Sequence, residues 1–206
     1  MNDERGAVLV AYGDAAAREA GRAISSLKAT DPRLPVYVIS NRFIEGAILI
    51  PFGQEAGYGA RWAKLNIDLL SPFKHTLYLD ADTSCHRSIM AGFDILADGW
   101  DIVMAHSHRQ WDDTLGHLPA DDRSYTLGTL GMRPVNLQAG VMFFTRNKET
   151  AGLFKAWREE WVQYRRLDQG ALLRALYRQP VKVWLLGRPW NGGGIIEHRF
   201  GAAVGK

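Results

Sequence analysis

The sequence has a single cysteine, Cys85, among 206 residues. One thiol excludes an intramolecular disulfide and fits a reducing compartment. No apolar run approaches the roughly 20 residues needed to cross a bilayer. The N-terminus, Asn2-Asp3-Glu4-Arg5, leads straight into an apolar segment, without the basic stretch, apolar core and cleavage site of a leader peptide. These absences predict a cytoplasmic protein. Charge of one sign is scarce too: 25 basic residues stand among 22 acidic ones, and the net charge is +3. No basic face is clustered enough for nucleic acid, so no nucleic-acid partner is expected. A slight preference for anionic partners such as phosphates remains. Internal repeats and low-complexity tracts are missing as well.

What is present is an ordinary globular composition, 47% hydrophobic and 23% charged. The length fits one domain covering residues 1–206. Apolar runs at 7–13, 36–40, 47–51, 76–79 and 101–105 read as strands. Between them lie an Ala-rich helix at 15–28, with Asp14 as its cap, and helices at 58–70 and about 88–97. On the second of these, Trp62, Leu65, Leu69 and Leu70 share a side, and Ser71-Pro72 ends it. This alternation predicts an α/β fold with a mostly parallel central sheet and helices on both faces. Residues 106–134 break the pattern and read as one long loop, a length that usually signals function. A strand at 141–145, helices at 149–164 and about 168–178, and a strand at 181–186 follow. The tail from Gly187 reads as Gly-rich loop.

The strongest local signal is Leu77-Tyr78-Leu79-Asp80-Ala81-Asp82, an apolar strand ending in two carboxylates one residue apart. In an extended chain, positions i and i+2 point the same way. Both carboxylates would then face the carboxyl edge of the sheet, where open α/β sheets bind ligands. Two such charges need a cation between them, and oxygen ligands suit Mg²⁺ or Mn²⁺. A lone Asp-x-Asp can equally end a strand and cap a helix.

Several segments in order give the pair a context: Ala11-Tyr12-Gly13 with Ala23-Ile24-Ser25-Ser26-Leu27, Arg61-Trp62-Ala63-Lys64-Leu65, Tyr78-Leu79-Asp80-Ala81-Asp82-Thr83, Gln138-Ala139-Gly140-Val141-Met142, Asp168-Gln169-Gly170-Ala171-Leu172, Trp190-Asn191 and His198-Arg199-Phe200-Gly201. With them the chain resembles the GT-A fold glycosyltransferases, especially the glycogenin-like and bacterial lipopolysaccharide-type (family 8) retaining transferases. The resemblance implies transfer of a sugar from a UDP-linked donor to a carbohydrate or other hydroxyl-bearing acceptor, with Mn²⁺ or Mg²⁺ as cofactor. It places Ala11 and Tyr12 at the base and ribose, and Lys64 and Arg61 at the diphosphate or donor sugar. Asp80 and Asp82 become metal ligands with Ala81 between them, and His198 the third ligand. Asn191 and Gly201 join the donor site, and Gln138 and Asp168 stand near the reacting carbon. Asp168 also sits where a helix N-cap belongs. Gln138 departs from the family's usual Asn. Val204 replaces the Lys that commonly meets the diphosphate, which leaves that role to Arg61, Lys64, Arg188 or Arg199.

Other features are weaker. His106, His108 and His117 read as loop histidines rather than a zinc site. Trp157, Trp161 and Tyr164 have the spacing of core packing, and Trp111 is the better candidate for stacking on an acceptor sugar. Gly192-Gly193-Gly194 fits either a phosphate-approaching backbone or a plain turn. The competing readings are a haloacid-dehalogenase-type phosphatase, a sugar-nucleotide pyrophosphorylase and a non-catalytic nucleotide-sugar-binding domain. The phosphatase usually carries its Asp-x-Asp on the first strand, and here three strands precede it. The pyrophosphorylase needs a Gly-rich, Arg-containing loop that residues 13–18 lack.

Overall fold

The computed structural model describes residues 4–53, 59–106, 115–131 and 134–201. Seven strands form the central sheet: β1 (Arg5–Ala11), β2 (Val36–Ser40), β3 (Ile48–Ile50), β4 (His75–Asp80), β6 (Ile102–His106), β7 (Leu137–Thr145) and β8 (Val183–Leu186). Their order is β3-β2-β1-β4-β7-β6-β8. All neighbours run parallel except β7, which is antiparallel to both β4 and β6. The sheet is therefore mostly parallel, as the alternating pattern predicts.

The central strands are buried on both faces, which is why they read as unbroken apolar runs. On one face Val8, Val10, Tyr78, Met142 and Phe144 pack with helices α2 (Gly59–Leu65), α6 (Lys148–Val162) and α7 (Gln169–Arg178). On the other, Ala7, Leu9, Leu77, Leu79 and Phe143 pack with α1 (Asp14–Thr30) and α4 (Met90–Ala97). Trp157 and Trp161 are buried in the first layer, as their spacing on α6 predicts. Asn147 accepts from the Thr150 amide, and Thr150 Oγ1 accepts from the Asn147 amide, a reciprocal cap that starts α6.

Four local expectations change. Asp14 does not cap α1: Gly13 holds the N-cap position, and the Asp14 carboxylate pairs with Arg42 at 2.7 Å. The helix expected over 58–70 breaks at Asn66, whose side-chain amide donates to Trp62 O, so α2 is followed by a separate turn, α3 (Ile67–Leu70). The break rotates the register: Ile67 is buried and Leu69 is 68% exposed, so Leu69 leaves the expected apolar side. The loop at 106–134 contains a helix, α5 (Ala120–Leu130), closed by Gly131 in the left-handed region. The tail contains a 3₁₀ turn (Arg188–Trp190) and a strand, β9 (Ile196–His198), which pairs antiparallel with β5 (Thr83–Cys85).

α5 escaped notice because its buried face is polar. Asp122 and Thr126, one helical turn apart, point at Arg174 of α7. Arg174 is 1% exposed and also donates to Glu160 of α6 at 2.8 Å, so one guanidinium joins three helices. Tyr125 flanks it, with the ring centroid 4.9 Å away. Trp111, His108, Asp112, Asp113, Val204 and Lys206 lie outside the described residues.

Candidate active site

Asp80 is the last residue of β4, at the carboxyl edge of the sheet. The chain turns at once through Ala81 and Asp82 into β5, and Thr83 Oγ1 closes the turn on Asp80 O at 2.9 Å. The two carboxylates therefore converge through a turn rather than through extended alternation. β9 supplies the third member: His198 lies opposite Thr83 in the β5–β9 register. Its Nε2 sits 3.1 Å from Asp82 Oδ1 and 3.7 Å from Asp80 Oδ2. The candidate ligand atoms of Asp80, Asp82 and His198 all fall within 4.8 Å of one another. Two carboxylates and an imidazole suit Mn²⁺, and a harder set with water would suit Mg²⁺.

Surrounding residues shape that triad. Asp80 divides its oxygens. Oδ1 accepts from Tyr78 Oη at 2.6 Å and from Lys64 Nζ at 3.1 Å, which leaves Oδ2 facing His198. Asp82 Oδ2 accepts the Gly201 amide at 2.8 Å, and Asp82 O accepts the Arg199 amide. Burial pushes the Asp82 carboxyl up, but the His198 side chain and the Gly201 amide outweigh it, so its pKa lies below the usual value. Gly140 of β7 leaves the space they occupy: a Cβ there would lie within 2.5 Å of Asp80 Oδ2 and closer still to His198 Cε1. Phe200 stacks on the His198 ring with centroids 4.0 Å apart.

Beside the triad a cleft of about 490 Å³ opens, and Asp80, Asp82 and His198 line it together with Tyr12, Ala81, Gln138, Arg61, Lys64, Asp168 and Gly201. Lys64 is its hinge of charge. Buried on α2, it reaches Asp168 Oδ2 at 2.9 Å as well as Asp80. Burial alone would lower its pKa; Asp168 and Asp80 outweigh that and hold the ammonium above the ordinary lysine range. Asp168 answers in kind: burial raises it, Lys64 and then Arg61 pull it lower, and the net direction is down. Asp168 occupies the N-cap position of α7, yet its side chain makes no capping bond. The carboxylate serves Lys64 and, at 3.7 Å, Arg61. Trp157 Nε1 holds the Asp168 carbonyl at 2.8 Å.

Two residues expected at the donor site lie elsewhere. Ala11 is 1% exposed, its side chain packed in the apolar layer with α1, and it is not among the cleft residues. Asn191 is equally buried and bonds His198 rather than facing the cleft. Arg199, one of the candidate phosphate clamps, is tied to Glu19 of α1, and Arg188 is not among the cleft residues. Arg165 joins the cleft wall instead, in the α6–α7 connection, with a left-handed φ of 52°. Nothing in the sequence pattern marked it. Gly193 and Gly194 take positive φ in a turn where the Gly193 amide bonds Ile196 O, so the Gly run serves β9. The histidines at 106 and 117 join no metal-binding group among the described residues.

No protein-family model matches the sequence, and no curated protein matches it. Solved structures do match. A bifunctional glycosyltransferase, WbbM, aligns over 92% of this chain with a TM-score of 0.70 and 18% identity. The galactosyltransferase LgtC, solved with donor and acceptor sugar analogues, aligns over 89% with a TM-score of 0.60 and 18% identity. Mouse xyloside xylosyltransferase 1 aligns over 91% with a TM-score of 0.59 and 12% identity. The fold is that of the GT-A glycosyltransferases. The GT-A chain described here spans 40% of the length of WbbM, 73% of LgtC and 86% of the xylosyltransferase. No helix among its described residues is long and apolar enough to cross a membrane.

Proposed function

We propose that this chain is a metal-dependent glycosyltransferase that moves a sugar from a UDP-linked donor to a hydroxyl group of a carbohydrate or similar acceptor, with retention at the anomeric carbon. The observation that carries the proposal is the convergence of Asp80, Asp82 and His198 on one point at the rim of β4, open to a cleft that also holds Lys64, Arg61, Asp168 and Gln138. Asp80, Asp82 and His198 would hold Mn²⁺ or Mg²⁺, which would neutralise the diphosphate and stabilise the departing nucleotide. In the net reaction the bond from the anomeric carbon to the diphosphate oxygen breaks, a bond from that carbon to the acceptor oxygen forms, and the acceptor's hydroxyl proton is lost to the released diphosphate or to solvent.

The remaining residues of the chain would position these groups. Tyr12, whose hydroxyl donates to Phe52 O at 2.6 Å, would present a fixed ring to the nucleoside. Lys64 and Arg61 would supply positive charge beside the diphosphate and donor sugar. Asp168, kept ionised by Lys64, and Gln138 would face the reacting carbon and the acceptor hydroxyl. Gly201 would join the donor site through the backbone that it already aims at Asp82. With the active-site strand fourth in the chain and central in the sheet, the phosphatase reading has no structural support.

The test incubates the protein with a panel of UDP-sugars and Mn²⁺, with and without simple sugar acceptors. UDP release that stops in excess chelator supports the proposal. Phosphate release from simple phosphate esters would point to the phosphatase, and donor binding with no turnover across the panel to a binding domain.

A further inference from the structure

The structure assigns Asn191 a role toward the metal rather than toward the nucleotide: we infer that it is a positioning residue that orients the His198 ring and keeps Nε2 available as a ligand. This rests on the reading of Asp80, Asp82 and His198 as the cation site.

Asn191 follows the 3₁₀ turn at Arg188–Trp190, and its amide bonds back to Arg188 O. The side chain is 1% exposed and is absent from the cleft wall, so it touches no donor in the cleft. Its Oδ1 lies 3.0 Å from His198 Nδ1. With the amide oxygen turned to the ring, Nδ1 is the donor of this pair and carries a proton. A ring that ligates a metal is neutral, and with its proton on Nδ1 it would offer the lone pair of Nε2, the nitrogen beside Asp82 Oδ1 and Asp80 Oδ2. A metal-ligating histidine whose other ring nitrogen donates to a fixed acceptor is held in both tautomer and orientation.

Two further observations favour this reading. Asn191 Nδ2 is buried with no hydrogen-bond partner among the described residues. A buried unpaired amide group is costly, and an apolar side chain would serve the fold better. What the amide uniquely supplies here is its oxygen to His198. The ring is confined further, by Phe200 stacked on its face and by the Gly140 backbone beside Cε1. Of these three contacts, the one from Asn191 is the one that addresses a ring nitrogen.

The experiment titrates the protein with Mn²⁺, with and without UDP, and reads free Mn²⁺ by electron paramagnetic resonance. Asn191→Leu, close in volume but without an acceptor, should weaken Mn²⁺ binding by about 10- to 100-fold, the range for outer-sphere partners of metal ligands. Asn191→Asp keeps an acceptor and should bind within a few-fold of wild type or tighter. In a His198→Ala background the leucine change should cost nothing more, because its route to the metal is gone. Thermal melts check the fold, and Asn191→Ala carries the same comparison if the leucine chain does not fold. The inference is overturned if the leucine or alanine variant binds like wild type, if the aspartate variant is as weak as leucine, or if the loss persists without His198. A wild-type protein that takes up no Mn²⁺ under either condition would remove the metal reading itself.

Discussion

At the residue scale, Asp80 and Asp82 differ in surroundings although they stand one residue apart. Asp80 is bound on one oxygen by Tyr78 and Lys64, and Asp82 is buried against His198 and the Gly201 amide. Replacing either with asparagine keeps shape and removes charge. Asp80→Asn and Asp82→Asn should each lower UDP release by about a hundredfold or more, since electrostatic stabilisation at a metal is worth several kcal/mol. Their melting temperatures should stay within a few degrees of wild type, which calorimetry would check. Gly140 makes the sharper case, because its sequence context gives no hint that the Asp80 and His198 side chains press on it. Gly140→Ala should displace Asp80 and His198 and weaken Mn²⁺ binding about tenfold or more, at an overpacking cost to stability of about 1–3 kcal/mol. An alanine variant that binds Mn²⁺ normally would show that the site yields to the added methyl.

At the element scale, legibility followed the source of each element's stability. β1, β4 and β7 announced themselves because both their faces are buried in apolar layers. α5 did not, because its inner face binds Arg174 through Asp122 and Thr126, and charge pairs leave no hydrophobic period. Arg174→Ala should cost about 3–5 kcal/mol in denaturant unfolding, because it strands Asp122 as a buried charge and leaves Glu160 to Arg178 alone. β9 was hidden for another reason: it is three residues long and exists only against β5. Asp-x-Asp was readable as a candidate ligand pair, whereas the strand that brings His198 beside it was not; resemblance alone singled out His198. Cys85 gives a probe of that ribbon. It ends β5, and burial, reinforced by Asp31, pushes its thiol up to about 12. At pH 8 the folded protein should therefore resist maleimide labelling, and labelling should follow the opening of β5.

At the scale of the whole molecule, the alternating pattern gave the mostly parallel sheet and its two covered faces. It could not give the reversal at β7, since antiparallel insertion between β4 and β6 is decided by pairing partners far apart in the chain. That reversal matters to the site: it runs β7 alongside β4 so that Gly140 arrives beside Asp80 and Gln138 enters the cleft. The two apolar layers share the same sheet, and β4 and β7 contribute to both. Loss of one layer should strip the other, so heat or denaturant should unfold residues 1–206 in a single transition. Non-coincident transitions by near- and far-ultraviolet circular dichroism would contradict the one-domain expectation.

Gly201 grips Asp82 across 119 positions of sequence, and His198 closes on the same carboxylate from the same late strand. A ribosome synthesising this chain therefore delivers the acidic half of the centre long before the imidazole half. Until β9 emerges and pairs with β5, Asp82 lacks both its imidazole neighbour and the Gly201 amide. On the proposed chemistry, the cation set would be completed only once β9 had docked.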